Sequence, residues 1–315
     1  MLRPHGTVLI AGPTASGKSR LALELAQAVG GVVVNADSMQ VYRELRVITA
    51  RPTPQDEVLA PHRLYGFRPA AQPYSVGLWL ADIARVLEEA RADGYPVFVV
   101  GGTGLYFSAL TEGLSDIPPI PADVRDRWRT ESAARHVAEL HAILSARDPH
   151  TAKRLRPNDT QRIVRALEVL DATGVPLSVW QERKAAPLLS GHSALKVVLL
   201  PDRAEIYARC DARFDAMLEA GALEEAVALA QLGLPQDAPA MRAVGVAPLL
   251  AHVRGEVSLD MARMAAQMET RRYAKRQLTW IKSKMLSWNR LSAQSMERTK
   301  SEIIVLMRDC LTMSC

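Results

Sequence analysis

Apolar residues fall into short continuous runs early in the chain and into helical stripes later. Thr7-Val8-Leu9-Ile10-Ala11, Val32-Val33-Val34-Asn35-Ala36 and Val97-Phe98-Val99-Val100 are too short for helices and are bounded by glycine or proline, which predicts strands buried on both faces. Between them a helix is predicted over residues 18–28. Another is predicted over 77–93, where Leu78, Ile83, Val86, Leu87 and Ala90 recur at helical spacing. Strand, helix, strand, helix, strand with continuous apolar strands means a parallel sheet covered on both faces. Ile117-Pro118-Pro119-Ile120-Pro121 breaks the pattern, and residues 122–184 read as helical and charged. Lys196-Val197-Val198-Leu199-Leu200 then reads as a strand returning to the sheet, with helices in the remainder. The expected fold class is α/β: a doubly wound parallel core over residues 1–117 and 191–315, interrupted by a helical insertion over 118–190.

Composition narrows the class. With 48% hydrophobic and 23% charged residues in 315, wholesale disorder is excluded. No apolar run approaches the ~20 residues that cross a bilayer, and no membrane partner is expected. The stretch Arg3-Pro4-His5-Gly6 leads into too few apolar residues for a secretory signal. Cys210, Cys310 and Cys315 have the spacing of neither a disulfide framework nor a zinc site, so a reducing cytoplasm is expected. The net charge is +5, carried by 31 Arg against 8 Lys. Arginine suits forked contacts to phosphate. A GC-rich genome produces the same bias, so the placement of the charge has to decide.

The strongest chemical signal is Gly12-Pro13-Thr14-Ala15-Ser16-Gly17-Lys18-Ser19, a G-x-x-x-x-G-K-S between a strand and a helix. Its glycines let the backbone wrap, its amides and the helix N-terminus face a di- or triphosphate, and Lys18 adds a point charge. Ser19 offers its hydroxyl oxygen to Mg²⁺. The fold is therefore expected to be P-loop NTPase-like. Ligands of open α/β sheets bind at the carboxyl ends of the strands. There the second strand delivers Asp37-Ser38-Met39-Gln40 and the third Gly101-Gly102-Thr103-Gly104-Leu105-Tyr106. Asp37 alone could be a helix cap or a magnesium ligand, and Thr103 a turn residue; together beside the loop they suit proton transfer.

Taken with Val41-Tyr42-Arg43, these segments resemble the tRNA dimethylallyltransferase family, which prenylates an adenosine next to the anticodon. The resemblance continues through Asp159-Thr160-Gln161-Arg162-Ile163-Val164-Arg165, Thr173-Gly174-Val175-Pro176, Asp211-Ala212-Arg213-Phe214-Asp215 and Thr270-Arg271-Arg272-Tyr273-Ala274-Lys275-Arg276-Gln277. It implies that Gly12 and Thr14 to Ser19 (Ala15, Ser16, Gly17 and Lys18 between them) bind the diphosphate of dimethylallyl diphosphate. It implies that Asp37 takes a proton from the adenine N6 amine and that Thr103 and Arg203 hold diphosphate oxygens. Mg²⁺ would bridge Ser19, water and diphosphate. Contacts to tRNA are implied for Asp37, Ser38, Met39, Gln40, Thr103 and Arg125, for Gln161, Arg162, Ile163, Val164 and Arg165, and for Arg272, Lys275 and Arg276. A cytoplasmic monomer acting on the anticodon stem-loop is expected.

A helix capped by Asn158 or Asp159 is predicted to bury Ile163, Val164, Leu167 and Leu170 and to expose Gln161, Arg165 and Glu168. Two departures from the family pattern stand out. Ile48-Thr49-Ala50-Arg51-Pro52 has a β-branched residue where glycine is usual. Gly245-Val246-Ala247 lacks an aromatic and a cation that could face RNA. Rival readings are an adenylate isopentenyltransferase acting on free nucleotides and a small-molecule phosphoryl transferase. A non-catalytic RNA-binding protein fits poorly with an intact loop plus Asp37. The long insertion and basic C-terminal segment disfavour the first rival, and Gly101-Gly102, where a magnesium-binding aspartate is expected, disfavours the second.

Residues 270–290 carry Arg271, Arg272, Lys275, Arg276, Lys282, Lys284 and Arg290 and no acid. As a helix they place Ala274, Leu278, Ile281, Met285 and Trp288 on one apolar stripe, leaving cations outward. A solvated face normally mixes signs. Binding of RNA should therefore weaken with salt by about one logarithmic unit of slope per phosphate contact. Replacing Arg272 and Arg276 together should flatten that slope by up to ~2 and raise the RNA KM, as read from a salt titration.

Overall fold

The computed structural model describes residues 6–190, 193–235, 238–291 and 296–312. Arg3, Pro4, His5 and Cys315 lie outside them, and so does the side chain of Cys310; Cys210 is buried. The chain forms β1 (Thr7–Ala11), α1 (Lys18–Val29), β2 (Val32–Asn35), α2 (Pro54–Leu59), β3 (His62–Arg63), α3 (Val76–Ala92), β4 (Val97–Gly101) and α4 (Gly104–Glu112). There follow α5 (Ala122–Ala134), α6 (Val137–Arg147), α7 (Pro149–Arg154), α8 (Thr160–Thr173) and α9 (Leu177–Glu182). The last part is β5 (Ala194–Leu199), α10 (Arg203–Glu219), α11 (Ala222–Gln231), α12 (Val246–Val253), α13 (Leu259–Lys284), β6 (Asn289–Leu291) and α14 (Met296–Thr312).

The strands form one sheet in the order β3-β2-β4-β1-β5-β6, every pair parallel. The doubly wound α/β core is thus present, with two strands absent from the sequence reading. Neither His62–Arg63 nor Asn289–Leu291 carries an apolar run, because edge strands face solvent. Sheet side chains pack on both faces, with Leu9, Val34 and Val99 on one and Ile10, Phe98 and Val100 on the other. On α3 the buried stripe is Trp79, Ile83, Val86 and Ala90. Ile83, Val86 and Ala90 are buried as the spacing predicts, whereas Leu78 is 46% exposed and Trp79 takes its place in the core.

The chain divides into two compact units, residues 1–111 with 189–315 and residues 112–188. The second unit holds α5–α9 around Trp128, Leu140, Leu144, Ile163 and Leu167. Asp171 ties it together, accepting from Trp128 Nε1 at 2.8 Å and pairing with Arg127 and Arg147. Its two ends meet where Ala185 N donates to Leu114 O at 2.9 Å. In the first unit the C-terminal α14 packs Ile303 and Met307 into the cluster that also holds Leu21 and Leu25 of α1.

Register sets the site. Ala11 pairs with Gly101, and Asn35 with Val100, so β1, β2 and β4 end side by side. A Cβ at Gly101 would stand 2.0 Å from the carbonyl oxygen of Ala36. Gly101→Ala must push the two strand ends apart. The expected cost is about 1–3 kcal/mol of stability, measured by urea unfolding, together with a loss of turnover larger than that of Gly6→Ala.

Candidate active site

The loop from Gly12 to Ser19 wraps as its composition requires. Gly17, the N-cap of α1, has φ 88°, and Ala15 holds φ 62°, a left-handed value rare for a side-chain-bearing residue and typical of ligand loops. Ser16 N donates to Pro13 O at 3.3 Å, closing the turn, while Ser16 Oγ is buried with no hydrogen-bond partner among the described residues. Lys18 Nζ donates to Pro13 O at 3.1 Å. Burial pushes the Lys18 ammonium down to about 8, with Arg213 pushing the same way and Asp37 opposing. The loop is braced from α13: Gln277 Oε1 accepts from Thr14 N at 2.8 Å and its Nε2 donates to Gly102 O at 3.0 Å.

Asp37 is placed by Asn35, a fully buried residue at the end of β2. Its Oδ1 accepts from Asp37 N at 2.7 Å, and its Nδ2 donates to Asp37 O at 2.9 Å and Leu64 O at 3.0 Å. Asp37 Oδ1 accepts from Met39 N at 2.9 Å. Thr103 Oγ1 accepts from Ser38 N at 3.0 Å, so the two strand ends are joined through the predicted pair. The Tyr273 hydroxyl also bonds Thr103; burial first, and the Asp37 charge second, hold this phenol above its usual range. A cavity of about 210 Å³ opens here, bounded by Thr14, Asp37, Ser38, Met39, Arg213, Tyr273 and Arg276, with Ile48, Phe214 and Met217 as apolar wall. A second cavity, of about 670 Å³, shares Arg213 and Met217 and is lined by Ser19, Arg46 and Arg51.

A family model described as IPP transferase matches residues 40–284, and one described as isopentenyl transferase matches 5–68. The chain belongs to the IPP transferase family. It is 52% identical over 312 residues to the tRNA dimethylallyltransferase of Parvibaculum lavamentivorans, covering 98% of each. It is 54% identical to that of Rhodopseudomonas palustris, covering 90% of this chain and 88% of the relative. Among solved structures it resembles the full-length tRNA isopentenylpyrophosphate transferase of Bacillus halodurans, with TM-score 0.69, 29% identity and 98% and 99% coverage. It also resembles a eukaryotic dimethylallyltransferase solved acting on tRNA, with TM-score 0.79, 27% identity, and coverage of 93% of this chain and 75% of that one.

Against the family pattern, one cation was missed by sequence reasoning. Arg213, in the Asp-Ala-Arg-Phe block of α10, donates to Thr14 Oγ1 and feels the Asp37 charge. Its place inside a matching block was the available signal. Arg203 is exposed on the first turn of α10, donating to Tyr207 Oη at 2.9 Å with its guanidinium over that ring; Tyr207 and Ala15 pack on one small cluster. Ser19 is exposed toward the larger cavity. Gln40 Nε2 donates to Thr49 O at 2.8 Å and Ala50 O at 3.1 Å.

On α8 in the second unit, Asp159 caps the helix as expected, accepting from Arg162 N at 3.2 Å. Gln161 and Arg162 are exposed and Val164 is half-buried. Ile163 is fully buried, so its side chain serves the core. Glu168 is buried, not exposed, and pairs with the half-exposed Arg165 at 3.3 Å. Arg125 is exposed on α5. On α13, Arg272, Lys275, Arg276 and Lys282 are exposed and Ala274, Leu278 and Ile281 buried, as the stripe predicts. The helix ends at Lys284, and Arg271 pairs with Asp211 at 2.5 Å. Arg276 lies over the Tyr273 ring, 5.6 Å from its centre, at the cavity. Val246 is fully buried, so an aromatic there would enlarge the core and not face RNA.

Because Lys18 is charged below about 8 and neutral above, a diphosphate should bind the free protein more weakly as pH rises from 7 to 9. Binding above pH 8 should take up a proton, read by calorimetry in buffers of different ionisation enthalpy. Lys18→Arg, whose charge persists, should take up none.

Proposed function

We propose that this protein is a tRNA dimethylallyltransferase, moving the dimethylallyl group of dimethylallyl diphosphate to the N6 amine of the adenosine 3′ to the anticodon. The observation that carries the reading is one cavity in which Asp37 faces Thr14 of the phosphate loop and the Arg213 bonded to it, beside an apolar wall. The amine attacks C1 of the prenyl group, a C–N bond forms, and the C1–O bond breaks with its electron pair leaving on diphosphate. An exocyclic adenine amine is a poor nucleophile. Asp37, whose Oδ1 is already engaged by Met39, takes the amine proton at Oδ2. Lys18, Arg213, Thr103 and the loop amides hold the diphosphate as its charge grows.

The residues present suit Mg²⁺. Ser19 offers a hydroxyl at the end of the phosphate loop, and Mg²⁺ keeps several waters and phosphate oxygens as ligands, so one protein oxygen suffices. Bound there, it would neutralise leaving-group charge without proton transfer.

RNA is the fitting acceptor because exposed cations occur on α13 and on α8, both beyond what a free nucleotide needs. Reaching a base in the anticodon loop requires splaying it out and holding its edge, for which Ser38 and Met39 line the cavity beside Asp37. The acid, the loop and the cations come from one chain, which fits a monomer. Among the described residues no helix is long and apolar enough to cross a membrane.

Mass spectrometry of nucleosides from undermodified tRNA, incubated with protein, Mg²⁺ and dimethylallyl diphosphate, should show N6-dimethylallyladenosine and none from free AMP. Equal activity on AMP would favour the nucleotide-prenylating rival. Asp37→Ala should lower kcat by about 10²–10⁴-fold with the RNA Kd little changed. A fall in RNA affinity with normal turnover at saturation would make Asp37 a binding residue.

A further inference from the structure

The apolar wall of the Asp37 cavity includes Ile48, the branched residue that replaces the usual glycine, and it is only 5% exposed. Its backbone is fixed from another element. Glu225, on α11, points its carboxylate at three consecutive amides: Oε2 accepts from Arg46 N at 2.8 Å and Val47 N at 2.7 Å, and Oε1 from Ile48 N at 2.9 Å. Thr49 Oγ1 donates to Leu45 O at 2.5 Å, closing the same turn. Hydrogen bonds to an ionised acceptor are the strong ones, and three on successive residues hold the turn as a unit. The Ile48 side chain therefore cannot recede by a backbone shift without breaking them.

The neighbouring helix gives the wall a direction. On α10, Arg213 bonds the phosphate loop at Thr14, Phe214 follows it directly and Met217 lies one turn on. A diphosphate held at Arg213 would leave its hydrocarbon beside Phe214 and Met217, which line the same cavity as Ile48. The cavity, about 210 Å³, must take that hydrocarbon and the edge of the acceptor base together.

We propose that Ile48 is a specificity-determining residue that limits the donor to a five-carbon prenyl diphosphate, and that Glu225 is the positioning residue that keeps it in the wall. This rests on the prenyl-donor reading above. Ile48→Ala shortens the wall and leaves the main-chain amides, and so the bonds to Glu225, in place. Glu225→Gln keeps the volume but presents an NH₂ where one carboxylate oxygen accepted, which loosens the turn.

The test is kcat/KM for dimethylallyl and for geranyl diphosphate on the same undermodified tRNA. Ile48→Ala should raise the geranyl-to-dimethylallyl ratio about tenfold or more, the scale on which apolar pockets discriminate chain length. Ile48→Val should move it less in the same direction, and Glu225→Gln should also raise it. An unchanged ratio in a folded Ile48→Ala that still uses dimethylallyl diphosphate overturns the proposal; if that variant does not fold, an unchanged ratio in Ile48→Val does. Equal loss on both donors in Glu225→Gln reduces that residue to a structural one. Failure of the unaltered protein to transfer dimethylallyl sinks the donor reading itself, a result distinct from an unchanged ratio.

Discussion

The site depends on how closely the carboxyl ends of β2 and β4 approach each other. Ala36 accepts from Thr103 N at 3.2 Å, and Gly101 leaves no room for even a methyl group between the strands. That contact lets the Thr103 hydroxyl reach the amide of Ser38, which fixes the turn carrying Asp37. Asn35, buried and fully engaged, holds the same turn from beneath, and Trp79 Nε1 donates to its carbonyl at 2.8 Å while stacking on Tyr106. An acid placed by so many buried bonds arrives pre-oriented, and such preorganisation is where enzymes gain rate.

The second constraint is electrostatic. Lys18 and Arg213 sit together beside one nearby carboxylate, an arrangement that burial penalises. A left-handed Ala15 and a buried Ser16 hydroxyl without a partner among the described residues add to the cost. A multiply charged anion offsets the buried cations and the unpartnered hydroxyl at once, since it brings negative charge and acceptors. On the proposed reading, Asp37 on one side and the anion site on the other would divide the reaction between proton removal and leaving-group support.

The core was readable because its strands are continuous apolar runs and its loop has a fixed glycine spacing. The edge strands β3 and β6 were not, since a two- or three-residue strand with one face in solvent has no periodicity to detect. Glu168 looked solvent-facing from its spacing, but helix packing in the second unit closes over it, and the Arg165 partner makes that burial tolerable. Asp37 and Thr103 announced themselves by standing at strand ends. Arg213 and Glu225 did not: each acts across a distance in sequence, through a partner that only the fold brings near. Asn35 acts on Asp37 only two residues away, but its burial at the end of β2 is what makes that contact a brace.

On the proposed reading the loop holds a departing diphosphate and not a triphosphate being cleaved. Phosphorus NMR of one reaction containing undermodified tRNA, dimethylallyl diphosphate, ATP and Mg²⁺ tests it most directly. One inorganic diphosphate is expected for each prenylated adenosine, with the ATP signals unchanged. Orthophosphate and ADP accumulating with turnover, or diphosphate released without modified RNA, would contradict it.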